Sequence, residues 1–146
     1  IVNMVDPGPA LSALLTAAKE QGKITLFPLN IGFGGVLLAF GPQSPSLEEL
    51  SGGPETEGDL FLRIVERLMP ALPPYLWQFA WVAEQVRRER LAPPQLGVAV
   101  SITASLVVSG IIKVAIGLPI PLVPSVAALD CREPLALSLP VAQSRA

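Results

Sequence analysis

"LGVAVSITASLVVSGIIKVAIG", Leu96 to Gly117, holds one charged residue, Lys113, and fits two folding templates at once. Read in twos, Val98, Val100, Ile102, Ala104, Leu106 and Val108 share a face, with Ser101, Thr103, Ser105 and Ser109 opposite, as in a half-buried strand. Read in fours, Gly97, Ser101, Ser105, Ser109, Lys113 and Gly117 make a small-residue stripe on an apolar helix. Ala99 and Val107 fall on the supposedly polar side and spoil the alternation. An uncharged run of this length is ordinary for a membrane span and uncommon in a hairpin. The helical reading gives a span over 95–114. At 1.5 Å per residue it would match a hydrocarbon core of about 30 Å. Lys113, near its end, could snorkel its amine to the headgroups.

The rest of the composition points the same way. Hydrophobic residues make up 51% of the 146 residues and charged residues only 15%, against about 25% charged in ordinary globular domains. No charge occurs from Ile24 to Leu47, and Lys113 is the only one between Leu91 and Asp130. The net charge of −2 lacks the basic surface that nucleic-acid binding needs, since Glu89 interrupts the one cluster, Arg87, Arg88 and Arg90. The sequence has no histidine, which removes the usual general base and the commonest metal ligand. The single cysteine, Cys131, excludes an intramolecular disulfide or a multi-thiolate zinc site and reads as a spectator. A chain starting at Ile1, with no visible secretory signal, reads as a processed product or a fragment.

Along the chain, "PALSALLTAAKEQG" (Pro9–Gly22) predicts an amphipathic helix, with Pro9 in its first turn and Gly22 ending it. "ITLFPLNIGFGGVLLAFG" (Ile24–Gly41) is divided between a second span, 24–41, and a β-hairpin turning at its glycines. Residues 42–58 form an acidic linker rich in proline and glycine, with one turn capped by Ser46 and Glu49. From Asp59, Leu60, Ile64 and Leu68 stack at helical spacing. Beyond Pro73–Pro74, Tyr75, Trp77, Phe79 and Trp81 precede Arg87, Arg88 and Arg90. Rings beside arginines suit a membrane–water interface, because both are part apolar and part polar. The prolines of 118–146 favour extended chain along a surface.

No chemical motif survives testing. "GFGG" at Gly32–Gly35 lacks both the third glycine of a dinucleotide loop and the Lys-Ser/Thr pair of a P-loop. Glu48, Glu49, Glu55, Glu57 and Asp59 lie in a solvated segment, not on rigid elements that could set two carboxyls apart.

The first expectation is therefore a mainly α, non-enzymatic membrane-associated protein with one firm and one candidate transmembrane helix. It would be a subunit of a membrane assembly or a self-associating membrane-perturbing protein. The segments would be 1–41, a linker at 42–58, aromatic/arginine helices at 59–92, the main apolar segment at 93–129 and a tail at 130–146. The helix-packing face would be Gly97, Ser101, Ser105 and Ser109. Interfacial residues would be Tyr75, Trp77, Trp81, Arg87, Arg88, Arg90 and Lys113. The partners would be another copy or subunit and the lipid membrane, with no cofactor, metal or nucleic acid. The alternative is a soluble α+β interaction module within a larger assembly, with hairpins at 24–41 and 97–117 forming an antiparallel sheet covered by helices.

Overall fold

The computed structural model describes residues 1–4, 9–52, 57–68, 74–75, 81, 84–85, 88 and 96–132. In chain order the elements are α1 (Pro9–Glu20), β1 (Thr25–Ile31), β2 (Gly34–Phe40), α2 (Leu47–Ser51), α3 (Glu57–Leu68), α4 (Gly97–Ala115) and β3 (Ala127–Asp130). The strands form one antiparallel sheet in the order β1-β2-β3. The chain is thus α+β, which overturns the expectation of a mainly α protein.

The segment 24–41 is the hairpin and not a span. Gly32, at φ +58°, takes the left-handed turn that a side chain resists, and Ile31 then pairs with Gly34. Both faces of the hairpin are apolar, so it reads as a continuous hydrophobic run instead of an alternating one. Register puts Phe27, Leu29, Ile31, Val36, Leu38 and Phe40 on one face, and Leu26, Leu37 and Ala39 on the other. The first face meets Leu11 and Leu15 of α1, Leu47 of α2, and Ile64 and Leu68 of α3 in the main core. Leu11, Leu38 and Ile64 are wholly buried. Each fully buried aliphatic side chain contributes about 1.5–3 kcal/mol, and trimming Leu38 to alanine would cost about 2–5 kcal/mol.

α1 buries Leu11, Leu15 and Ala18, and Lys19 donates to the Ser44 carbonyl at 2.9 Å. α2 opens with a reciprocal cap. The Glu49 N–H donates to Ser46 Oγ at 3.1 Å, and the Ser46 N–H donates to Glu49 Oε2 at 2.7 Å. Residues 1–3 run beside β1, joined by an Asn3 N–H to Leu26 carbonyl bond of 2.9 Å.

The stretch expected as the alternative's second hairpin, 97–117, is instead the helix Gly97–Ala115 and its closing turn, so that hairpin is also overturned. α4 lies on the second face of the sheet, where Val107 joins Leu26, Leu37 and Ala39. The third strand comes instead from β3, whose Ala127–Asp130 pair with Leu37–Gly34.

Candidate functional site

The surface that stands out is α4 itself. Its buried residues are Ala99, Thr103, Val107 and Gly110, the helical stripe that contains the two residues disturbing the strand alternation. Two close approaches set this dock. A Cβ on Gly35 of β2 would lie 2.1 Å from Thr103 Oγ1 and 3.0 Å from Thr103 Cα. A Cβ on Gly110 would lie 3.0 Å from Leu37 Cδ2 and 3.3 Å from Leu26 Cδ1. Both glycines let helix and sheet come nearer than alanine would. The contact has one defect, for the Thr103 hydroxyl is buried and finds no hydrogen-bond partner among the described residues.

The stripe Gly97, Ser101, Ser105 and Ser109 is offset by two residues, about 200° round the helix, and all four are exposed. The packing face read from the sequence therefore points away from the sheet. Ser101 Oγ donates to the Gly97 carbonyl at 3.1 Å and Ser105 Oγ to the Ser101 carbonyl at 2.9 Å. Such bonds back to the preceding turn satisfy the hydroxyls within the helix. Around the stripe, Val98, Val108, Ile112 and Ile116 are exposed, Ile112 by 53% and Ile116 by 64%. Lys113 sits exposed in the last turn. Gly117, at φ +74°, closes the helix, and the Leu118 N–H donates to the Lys113 carbonyl at 2.8 Å. α4, 19 residues long, is long and apolar enough to cross a membrane, with a mean hydropathy of 2.0 over an 18-residue window.

Of the residues expected at an interface, Trp81 is 61% exposed. Arg88 is exposed and pairs with Glu84 at 2.6 Å. Trp77, Arg87 and Arg90 lie outside the described residues. Tyr75 is buried and works as a clamp. Its hydroxyl donates to Asp130 Oδ2 at 2.6 Å and accepts from the Phe33 N–H at 2.9 Å. Its ring meets Phe33 edge-on at 6.0 Å, while the Arg132 guanidinium lies 4.3 Å over it. Burial and the hydrogen bond to Asp130 push the phenol pKa up. Tyr75 thus ties the hairpin turn to the end of β3, a role carried by contacts 42 and 55 residues away in sequence.

A small cleft between α1 and α2 is lined by Ser12, Thr16, Lys19, Thr25, Ser44 and Glu48 among others. At about 30 Å³ it has room for one or two water molecules. Ser12 donates to Glu48, a pairing that resembles a nucleophile beside a base. The same hydrogen bond, with help from the backbone, holds the Glu48 carboxyl below its ordinary value. That makes it a weaker base, the opposite of what activation of a hydroxyl requires. Among the described residues no cluster of His, Cys, Asp and Glu could hold a metal ion.

Comparison of the chain with protein families, characterised proteins and solved structures found no match.

Proposed function

We propose that the protein is a non-enzymatic, membrane-associated module that seats the outer face of α4 in a lipid bilayer. One observation carries this reading. Apart from its Gly/Ser stripe and Lys113, α4 is strongly apolar, yet only 17% of its span-length window is buried in the protein. A helix of that kind is normally enclosed, and a large exposed apolar surface marks contact with lipid or another protein. While docked, α4 cannot cross the bilayer. The sheet lies along it, and open strand edges are not found in hydrocarbon. The docked helix therefore lies in the plane of the interface, with Val98, Val108 and Ile112 reaching about 5–10 Å below the headgroups. Ser101 and Ser105 ask nothing of the lipid, because their hydroxyls are satisfied within α4. The stripe Gly97, Ser101, Ser105 and Ser109 then offers a face on which helices of neighbouring copies pack closely, as small residues do in lipid. This would make the protein a subunit of a membrane assembly.

The test is flotation with phosphatidylcholine vesicles, comparing wild type with Ile112→Asp. On insertion scales, moving aspartate instead of isoleucine into the apolar layer costs about 3 kcal/mol, or about 100-fold in partitioning. Flotation unchanged by the substitution would overturn the reading. The second reading, a soluble α+β assembly subunit, is favoured by the self-contained core between the sheet and α1, α2 and α3. It predicts no flotation, and concentration-dependent oligomers that Ile112→Asp dissolves.

A further inference from the structure

We infer that β3 is a self-pairing edge: two copies of the chain join β3 to β3 and continue their sheets into one of six strands, twice the three of each copy. The inference stands on backbone geometry and does not rest on the lipid-binding reading above.

The two edges of the sheet are unlike. On the β1 edge, the Leu26 N–H donates to the Ile1 carbonyl and the Asn3 N–H to the Leu26 carbonyl, both at 2.9 Å. Pro28, two residues on, turns the same way and has no N–H to offer. Residues 1–3 and a proline thus close that edge, two ordinary guards against stray pairing. The β3 edge is open. The Cys131 N–H donates to the Phe33 carbonyl, continuing the register in which Gly34 faces Asp130. Alternation then turns the backbone groups of Ala127 and Leu129 toward β2, and those of Ala128 and Asp130 outward. Among the described residues nothing bonds those outward groups, and Ala128 and Leu129 are exposed.

A second copy fits this edge because β3 is complementary to itself in one register. Setting Ala128 of each copy against Asp130 of the other uses every outward group of the strand, since a hydrogen-bonded antiparallel pair exchanges both of its bonds. It also brings Leu129 opposite Leu129 of the other copy, at a Cα separation of about 4.5 Å. Leu129 is 51% exposed. It lies on the α4 side, because it pairs with Gly35, where a Cβ would point at Thr103. Each copy thus covers the other's bare leucine. Shifting the pair until Asp130 meets Asp130 sets like charges opposite. Shifting it the other way, to Ala128 on Ala128, draws its remaining bonds from Val126, outside the strand. In the self-complementary register the Asp130 carboxylate is on the other face and already engaged, by the Tyr75 hydroxyl at 2.6 Å and the Arg132 N–H at 2.9 Å. The symmetry axis runs normal to the sheet, so both α4 helices stand on the same side of the dimer.

The test measures the mass of the full chain by analytical ultracentrifugation in a mild non-ionic detergent, which masks the apolar surface of α4. A dimer of the 15.4 kDa chain is expected. Ala128→Pro removes an outward N–H, leaves the bonds to β2 in place, and should give a monomer with an unchanged circular dichroism spectrum. Leu129→Lys sets two ammonium groups against each other and should weaken the dimer by about 100-fold or more. In a Cys131→Ser background, oxidised Leu129→Cys should link the copies, because its sulfurs meet across the axis within disulfide reach. Ala128→Cys, also exposed, should not. A monomeric wild type would overturn the inference, even if the strand of another protein binds the edge. So would equal linkage by both cysteines, or a dimer that survives Leu129→Lys but falls to Ser101→Leu with Ser105→Leu, which places the contact on α4. Leu129→Lys decides the matter even if the proline disturbs the fold.

Discussion

Gly35→Ala is the sharpest probe of how α4 is held. Two effects oppose each other. Alanine is about 0.5–1 kcal/mol better than glycine inside a strand, because glycine loses more backbone freedom on folding. Against this, the new Cβ would meet Thr103 Oγ1 at 2.1 Å and Thr103 Cα at 3.0 Å. The hydroxyl can rotate, but the Cα belongs to the helix backbone. Restoring ordinary carbon contact near 3.5–4.0 Å requires α4 to retreat by about 0.5–1 Å, which forfeits a quarter to a half of each dispersion contact along the dock. Overpacking of this kind costs about 1–3 kcal/mol, so it outweighs the backbone gain and leaves a net loss of about 1–2 kcal/mol. For a chain of this size that lowers Tm by about 3–6 °C. Urea unfolding followed by circular dichroism should show a lower midpoint at unchanged m-value. Gly97→Ala is the control, since a Cβ there meets nothing within 4 Å and the helix gains up to about 1 kcal/mol. A Gly35→Ala protein as stable as wild type, or more so, would refute the close dock of α4 on β2.

Tyr75→Phe removes the phenol between the Phe33 N–H and Asp130 and should cost about 1–3 kcal/mol in urea unfolding, because both partners lose a bond in a partly buried site; an unchanged midpoint would deny the clamp. The depressed pKa of Glu48 means its ionised form is favoured in the folded state, so its contribution is present above the unfolded value near 4.5 and fades as pH falls through the lower folded value. Carbon-detected NMR titration should show Ser12→Ala moving Glu48 back up, with a matching loss of the pH dependence of stability on the acid side. Ser101→Leu combined with Ser105→Leu should weaken self-association in a bilayer oligomerisation assay while leaving the sheet intact by circular dichroism, and unchanged association would remove the stripe from the packing proposal.

Individual elements were legible from residues alone, but the leading mainly α reading of the fold was not correct, and the failures have identifiable causes. The helical period of Leu11, Leu14, Leu15 and Ala18 located α1, of which Leu11, Leu15 and Ala18 are buried, and Ser46 with Glu49 marked the cap of α2. Ile24–Gly41 looked equally like a span because both faces of the hairpin are covered, one by α1 to α3 and one by α4, so the usual alternation of a strand is missing. For 96–117 the decisive residues were Ala99 and Val107, but hydropathy could not say which side of α4 meets the sheet. Apolar residues flank the serine stripe as well as the docking face, and shape chose the face through Gly35 and Gly110. β3 gave no local signal, since "AALD" has little strand propensity, and its pairing with Gly34–Leu37 is imposed by tertiary contact. Tyr75 misled for a related reason. Its aromatic neighbours suggested an interface, whereas its partners Phe33 and Asp130 are remote in sequence.

The place of β3 in the sheet also orders events in time. β1 and β2 meet through a tight turn and can pair within microseconds, but Gly34 meets Asp130 only after a loop on the order of 90 residues has closed, which is entropically costly. α4 lies inside that loop and settles on the sheet that β3 completes. The hairpin with its inner core is thus the early-forming, slow-exchanging unit, while α4 and β3 form a late unit that opens first. A newly made chain therefore carries its most lipid-soluble segment uncovered during the interval before the last strand arrives.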